Sequence, residues 1–132
     1  MDAKGKAAYW DSLADYDLET AKAMLESGRF LYVGFMCQQT IEKALKAVHW
    51  KRTKSEPEYI HALVRLAKKS GIFDEMDQPA RDFLEFLEPL SIEARYPTHR
   101  ERLLASLTRE RCITIVDECG RLLAWLRARS SK

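Results

Sequence analysis

Residues 32–50 read YVGFMCQQTIEKALKAVHW, and this stretch decides the fold. Apolar residues recur in it at three- and four-residue spacing, which places them on one face of a helix and predicts a buried stripe. A second line at four-residue spacing consists of Gln38, Glu42 and Lys46, in which Glu42 and Lys46 can pair. One interpretation of this line is a solvated row with an ordinary ion pair. The other interpretation is a polar row that belongs to a functional site.

The rest of the chain also has helical periodicity. Four of the predicted helices cover residues 10–25, 30–51, 61–70 and 108–128. A further helix is predicted to start at Asp77, with Pro79 in its first turn. Pro97 is expected to interrupt the chain before the last of them. The sequence therefore predicts one all-α domain over residues 1–132, an antiparallel up-and-down bundle of four main helices plus a short extra helix.

Net charge is only +2, but it is unevenly distributed. Residues 1–94 carry a net charge of −3 and residues 95–132 carry +5, and eight of the nine basic residues in the second part are arginines. Arginine presents a planar fork of donors that suits phosphate. The C-terminal quarter is therefore a candidate phosphate-facing surface, and the alternative is a solvated helix whose arginines cover apolar surface.

Several classes of function lack their sequence signals. No apolar run approaches the roughly 18 residues of a membrane span, and no signal-peptide core is present, so we expect a cytoplasmic protein. The cysteines, Cys37, Cys112 and Cys119, form no CxxC pair and are expected in the core. The sequence contains no HExxH, P-loop or GxGxxG motif, so we expect neither a metal nor a cofactor. His61 is expected to cap a helix or to bond locally.

Polar and aromatic residues near the apolar stripes have several possible partners. Asp17 lies on or beside the buried face of the first helix, where a carboxylate needs a partner such as Lys46, Arg95 or a backbone amide. Gln38 and Gln39 are able to bond either a base or a neighbouring helix. The aromatic residues near the helix ends are interpreted as core or interface anchors: Tyr9, Trp10, Tyr16, Trp50 and Trp125.

Four ordered motifs resemble those of one family. Residues 38–47, QQTIEKALKA, resemble the second-helix signature of the HEPN domain family (higher eukaryotes and prokaryotes nucleotide-binding). Asp17 with Ala21, the run from His61 to Leu63 followed by Leu66, and the run Ala94-Arg95-Tyr96-Pro97 resemble its other motifs in the same order. The resemblance extends from about residue 10 to residue 126.

The resemblance implies a function and a set of site residues. Short HEPN proteins commonly accompany a minimal nucleotidyltransferase in toxin–antitoxin-like systems, form homodimers, and are thought to bind a nucleotide or RNA beside the arginine. The implied binding residues are Gln38, Glu42, Lys46, Arg95, Tyr96, Arg100 and Arg102.

The alternative that the resemblance implies is a metal-independent endoribonuclease. Active members have an arginine, four to six residues, and then a histidine that moves a proton while the arginine stabilises phosphate charge. Arg95 and His99 are the corresponding catalytic candidates, although only three residues separate them. A third hypothesis is a helical dimer that only shapes its partner.

Overall fold

The computed structural model describes residues 1–93 and 96–131, and its first two helices form an antiparallel hairpin. Helix α1 spans Ala3–Glu26 and α2 spans Phe30–Thr53. The Asp2 side chain caps α1 by accepting a hydrogen bond from a backbone amide at 2.8 Å. Gly28 lies in the turn with a φ of 77°, a conformation that costs glycine little because it has no Cβ. The chain therefore reverses within three residues.

After α2 the chain turns back and runs along α2 before the next helix begins. The turn starts at Lys54, whose φ is 57°, and the returning segment is residues 54–62. His61 at its far end reaches Glu42, about three helical turns before the end of α2. Helix α3 (Leu63–Ser70) and a 3₁₀ turn (Ile72–Glu75) then run in the same direction as α2.

Helix α4 spans Gln78–Leu87 and reverses the chain again. Asp77 caps it through a side-chain hydrogen bond of 2.9 Å, and Pro79 lies in its first turn, as the sequence predicts. Glu88, just beyond its end, accepts a hydrogen bond of 3.0 Å from the amide of Val64 at the start of α3. Helices α3 and α4 are therefore antiparallel.

Helix α7, which spans Arg109–Arg129, closes the bundle. Its first residue donates to the carbonyl of Leu25 near the end of α1, whereas Arg127 binds Asp15 nearer the start of α1 at 2.6 Å. Helix α7 is therefore antiparallel to α1 and runs in the same direction as α2. The prediction of an antiparallel all-helical bundle with α1, α2, α4, α7 and the extra helix α3 is confirmed, and the described residues contain no strand.

Two short helices between α4 and α7 were not predicted. They are α5 (Leu90–Glu93) and α6 (Pro97–Ser106). Pro97 is the first residue of α6, where its missing N–H and restricted φ are tolerated, so the expected interruption is a helix start. Helix α1 also begins seven residues earlier than predicted, because Asp2 supplies a cap.

The core lies between α2 and the helices around it. All three cysteines are buried in it, as expected. Its largest fully buried apolar side chains are Val33, Ile41, Leu45, Val48, Leu63, Leu66, Ile72, Leu84, Leu87 and Leu126. Among the described residues, no helix is both long enough and apolar enough to cross a membrane.

Gly34 lies where Leu90 of α5 and Leu107, the residue just after α6, pack against α2. A Cβ added at Gly34 would lie 3.0 Å from Cδ1 of Leu90 and 3.7 Å from Cδ1 of Leu107. We predict that Gly34→Val lowers the free energy of unfolding by about 1–3 kcal/mol, because the added methyl groups overpack this contact. Urea denaturation followed by circular dichroism measures the change.

Gly120 in α7 provides the matched control. A Cβ added there meets no atom within 4 Å. Gly120→Ala should therefore raise the free energy of unfolding by about 0.5–1 kcal/mol through helix propensity alone. Equal effects of the two substitutions would contradict the proposed close approach at Gly34.

Candidate functional site

The polar row of α2 is buried. Gln38, Glu42 and Lys46 are 0, 3 and 5% exposed, so the interpretation of a solvated row is wrong. The predicted pairing of Glu42 with Lys46 is confirmed, with Nζ lying 3.3 Å from Oε2. The row faces the returning segment 54–62, which covers it.

The carboxylate of Glu42 is the centre of a hydrogen-bond network. Its Oε1 accepts from Nε2 of Gln38 at 3.2 Å and lies 2.9 Å from Nδ1 of His61, while its Oε2 accepts from Lys46. Nε2 of Gln38 also donates to the carbonyl of His61 at 3.2 Å. A buried carboxylate requires such donors. The network therefore ties the returning segment to α2.

The contacts of His61, Gln38 and Asp17 resolve three questions that the sequence raised. His61 was expected to cap a helix or to bond locally. Helix α3 has no side-chain cap hydrogen bond, and the partner of the His61 ring is Glu42, 19 residues away in the sequence, so this expectation is wrong. Gln38 bonds its own helix and a neighbouring backbone. Asp17 pairs with Lys43, which differs from the partners considered, because residue 43 points at α1.

Helix α6 carries the remaining predicted binding residues that the structure describes, and they form a basic surface. His99, Arg100 and Arg102 are exposed in its first two turns, and Tyr96 directly before it is 54% exposed. The rings of His99 and Tyr96 make an edge contact with centroids 6.5 Å apart. Neither Arg100 nor Arg102 forms an ion pair with any residue that the structure describes. Arg95, the other predicted catalytic residue, lies outside the described residues.

Four of the five arginines of α7, by contrast, have structural contacts. Arg109 and Arg111 lie over the rings of Phe30 and Phe86, at 5.1 and 5.0 Å. Arg127 binds Asp15 and the backbone of α1, and Arg129 lies over the ring of Trp125. The two interpretations therefore apply to different helices. Apart from the exposed Arg121, the arginines of α7 cover apolar surface or form ion pairs, whereas Arg100 and Arg102 of α6 face solvent.

The predicted binding residues therefore occupy two places. Helix α6 packs near Gly34 at the start of α2, and Lys46 lies 12 residues further along α2, or about 18 Å. Lys46 lines a cavity of about 220 Å³ with Trp10 and Trp50. The sequence interpretation of these tryptophans as core or interface anchors missed the cavity. Among residues 1–93 and 96–131, no cluster of His, Cys, Asp and Glu is arranged to hold a metal ion.

Burial alters the pKa of one histidine near this network. Burial lowers the pKa of His49 below its ordinary value, because the charged imidazolium loses hydration. His49 lies 8% exposed in α2, with Nε2 3.4 Å from the hydroxyl of Ser55. The lowered pKa favours the neutral imidazole, and its contact with Ser55 supports the start of the returning segment.

Comparisons with known proteins agree with this architecture. The structure resembles TT1696 from Thermus thermophilus, with a TM-score of 0.79 and 22% sequence identity over 93% of this chain and 97% of that one. It also resembles ST0689, an archaeal HEPN homologue, with a TM-score of 0.66 and 19% identity over 95% and 98% of the two chains. No curated protein matches the chain significantly. The HEPN domain model matches residues 7–129, which is nearly the whole chain, and the protein therefore belongs to the HEPN domain family.

Proposed function

We propose that this HEPN protein binds a nucleotide or RNA through α6, as the accessory partner of a minimal nucleotidyltransferase in a toxin–antitoxin-like system. The observation on which this proposal rests is the exposed group formed by His99, Arg100 and Arg102, which has no carboxylate partner among the described residues. Unpaired guanidinium groups are able to meet phosphate without breaking an existing ion pair. Membership of the HEPN family supports the proposal.

The position of this basic group on α6 adds to its suitability for phosphate. His99 and Arg100 lie within the first turn, where the helix dipole favours an anion. His99 and Arg102 are three residues apart and therefore neighbours on the helix surface. A phosphate at this end of α6 would meet an imidazole and a guanidinium together.

The nucleotidyltransferase partner is supported by the family resemblance, in which short HEPN proteins accompany such enzymes. An exposed apolar group beside the basic one supports a homodimer as well. Ile92 in α5, Tyr96 just before α6 and Leu104 in α6 are 55, 54 and 49% exposed. Pairing of two copies through this group would bring two basic surfaces to one cleft.

The ribonuclease hypothesis remains as a second candidate because of the environment of His99. The imidazole is exposed and makes no hydrogen bond to a described residue, so it is available for proton transfer. Arg102 is its neighbour on α6, and Arg95 precedes it by four positions in the sequence.

The homodimer is tested by light scattering. At micromolar concentration we predict twice the chain mass of 15.3 kDa. Replacing both Ile92 and Leu104 by glutamate should give a folded monomer. The glutamates of the two copies would repel each other at the apolar contact, and neither wild-type side chain is part of the core. The control is Ile113→Glu, at a residue of similar exposure on α7. A monomeric wild-type protein would exclude the shared cleft.

Phosphate binding by α6 is tested with single-stranded RNA. Arg100→Ala and Arg102→Ala should each weaken binding, and each should reduce the slope of log affinity against log salt by about 0.7 for every phosphate that the variant no longer neutralises. Fluorescence anisotropy at several salt concentrations measures both quantities. Arg121→Ala, an exposed arginine of α7, is the charge-matched control. If the control weakens binding as strongly as the α6 variants, the assignment to α6 fails.

RNA cleavage separates the enzyme from the binder. If His99 is catalytic, the purified protein should cleave single-stranded RNA in excess chelator, and His99→Ala should reduce the rate by about 100-fold or more while RNA binding persists. Thr98→Ala, at the exposed neighbouring residue, serves as the control. Cleavage that is unchanged in His99→Ala would contradict this role for His99. Binding without cleavage would favour the accessory module.

A further inference from the structure

Backbone hydrogen bonds tie the returning segment, residues 54–62, to the rest of the protein only at its two ends. At its start the amide of Lys54 donates to a carbonyl of α2 at 3.1 Å, and at its far end the carbonyl of His61 accepts from a side chain of α2 at 3.2 Å. The backbone of residues 56–60 makes no hydrogen bond to another element within the described chain. Because local opening costs least where a backbone has few such bonds, the middle of the segment is the part that opens most easily.

His49 of α2 lies under the start of this segment and is 8% exposed. The one hydrogen bond of its ring within the described chain joins Nε2 to the hydroxyl of Ser55 at 3.4 Å, whereas Nδ1 is buried without a partner. A neutral imidazole has one N–H donor, but an imidazolium has two, and a buried donor without an acceptor is costly. The closed segment therefore favours the neutral ring.

The charged groups around His49 do not offset this cost. Burial lowers the pKa of His49 below its ordinary value of 6.5, the carboxylate of Glu58 opposes that shift, and the ammonium group of Lys69 in α3 adds to it. On α2 itself, Lys46 and Arg52 lie three residues to either side of His49, and each is paired with a carboxylate. The ring therefore has no carboxylate partner among the described residues that would hold a second proton.

The histidine at the far end of the segment responds to a proton in the opposite way. Nδ1 of His61 lies 2.9 Å from a carboxylate oxygen of Glu42, and the His61 side chain is 57% exposed. An added proton on this ring meets a carboxylate or water, so the far end stays attached. At the other end the chain turns sharply at Lys54, whose φ of 57° is left-handed.

Two apolar side chains and exposed ion pairs hold the middle of the segment against the bundle. The ring of Pro57 is buried, and Ile60 packs on the core. Glu58 pairs with Arg65 and Lys69, whose side chains are mostly exposed, and exposed pairs of this kind contribute little to stability. The hydration of one buried imidazole is therefore able to shift the balance between a closed and an open segment.

We propose that protonation of His49 releases residues 55–60 from α2, so that the returning segment opens in acid while its two ends stay attached. Once Ser55 moves away, water reaches both N–H groups of the imidazolium. Opening also removes Pro57 and Tyr59 from the wall of the cavity of about 220 Å³ between α1 and α2. The segment is thus a pH-sensitive cover of this end of α2, and the inference does not depend on the function proposed for α6.

The direction of the pH dependence follows from the number of protons that each form binds. Water reaches His49 in the open form, so its pKa there is near the ordinary 6.5, whereas burial lowers its pKa in the closed form. The closed form therefore binds fewer protons and is favoured at high pH. Below pH 6.5 the ratio of open to closed rises by up to about tenfold for each pH unit, until the closed-form pKa is reached. Glu58 stays ionised in this range, since the hydrogen bond from Arg65 lowers its pKa below the ordinary 4.5.

Nuclear magnetic resonance of the full chain tests the proposal between about pH 7.5 and about pH 5.5. As the pH falls, the amide signals within residues 55–60 should move toward random-coil positions with the same midpoint as the His49 ring signal, and the open fraction should rise at least about fivefold. The amide signals of α7 should stay in place, because the bundle itself remains folded. Native positions for the signals of residues 55–60 at the acidic end of the titration overturn the proposal, whether or not His49 has gained a proton.

Replacing each histidine of this region in turn identifies the group that titrates. His49→Gln keeps a polar group toward Ser55 but gains no proton, so it should abolish the pH dependence of the segment. His61→Gln is the matched control and should retain that dependence. If the signals of residues 55–60 still move with pH in His49→Gln, another group drives the opening and the proposal is wrong.

Ser55→Ala tests the same contact from the exposed side of the segment and remains informative if His49→Gln fails to fold. Loss of the hydrogen bond to Nε2 destabilises the closed form, so the midpoint of opening should move to higher pH by about 0.5 unit. Ser12→Ala, at an exposed serine of α1, should leave the midpoint unchanged. An unchanged midpoint in Ser55→Ala would mean that His49 is not coupled to the segment and would also overturn the proposal.

Discussion

The buried carboxylate of Glu42 is the constraint on which the rest of the fold depends. Removing a carboxylate from water is costly unless donors surround it, and here Gln38, His61 and Lys46 supply them. Because His61 belongs to the returning segment 54–62, satisfying Glu42 requires that segment to lie along α2. That path sets where α3 begins, and the end of α4 is then positioned by the hydrogen bond that Glu88 accepts from the amide of Val64 at the start of α3. An apolar residue at position 42 would need no such partner and would not specify this path.

Position along α2 separates two kinds of chemistry. At its start, Gly34 lets the α5 and α6 segment approach, and α6 projects basic side chains into solvent. At its end, lysines and tryptophans of α1 and α2 surround a cavity. The row from Gln38 to Lys46 lies between them and is internal. Charged residues of α2 and α6 thus have different roles, because neighbouring segments cover Glu42 and Lys46 of α2 and leave Arg100 and Arg102 of α6 exposed.

Much of the bundle follows from the sequence because its signals are local. Apolar spacing predicts α1, α2, α4 and α7, and Asp77 with Pro79 marks a helix start without tertiary help. Helix α6 was missed for a physical reason: only Leu103 and Leu107 near its end pack on the core, so it has almost no apolar stripe. The basic residues of α6, Arg100 and Arg102, were nevertheless named from the sequence, because the charge of a segment can be counted without knowing its secondary structure.

The sequence by itself determined the helical class, the Glu42–Lys46 pair and the basic character of residues 95–132, because spacing and composition are sufficient for these. Only the tertiary structure decided that the polar row is buried, that Asp17 meets Lys43, and which arginines remain unpaired. It alone also brought Lys6 beside Trp50 and Lys46 beside Trp10. These contacts join residues at least 26 positions apart. Their formation depends on how helices pack, which no local pattern encodes.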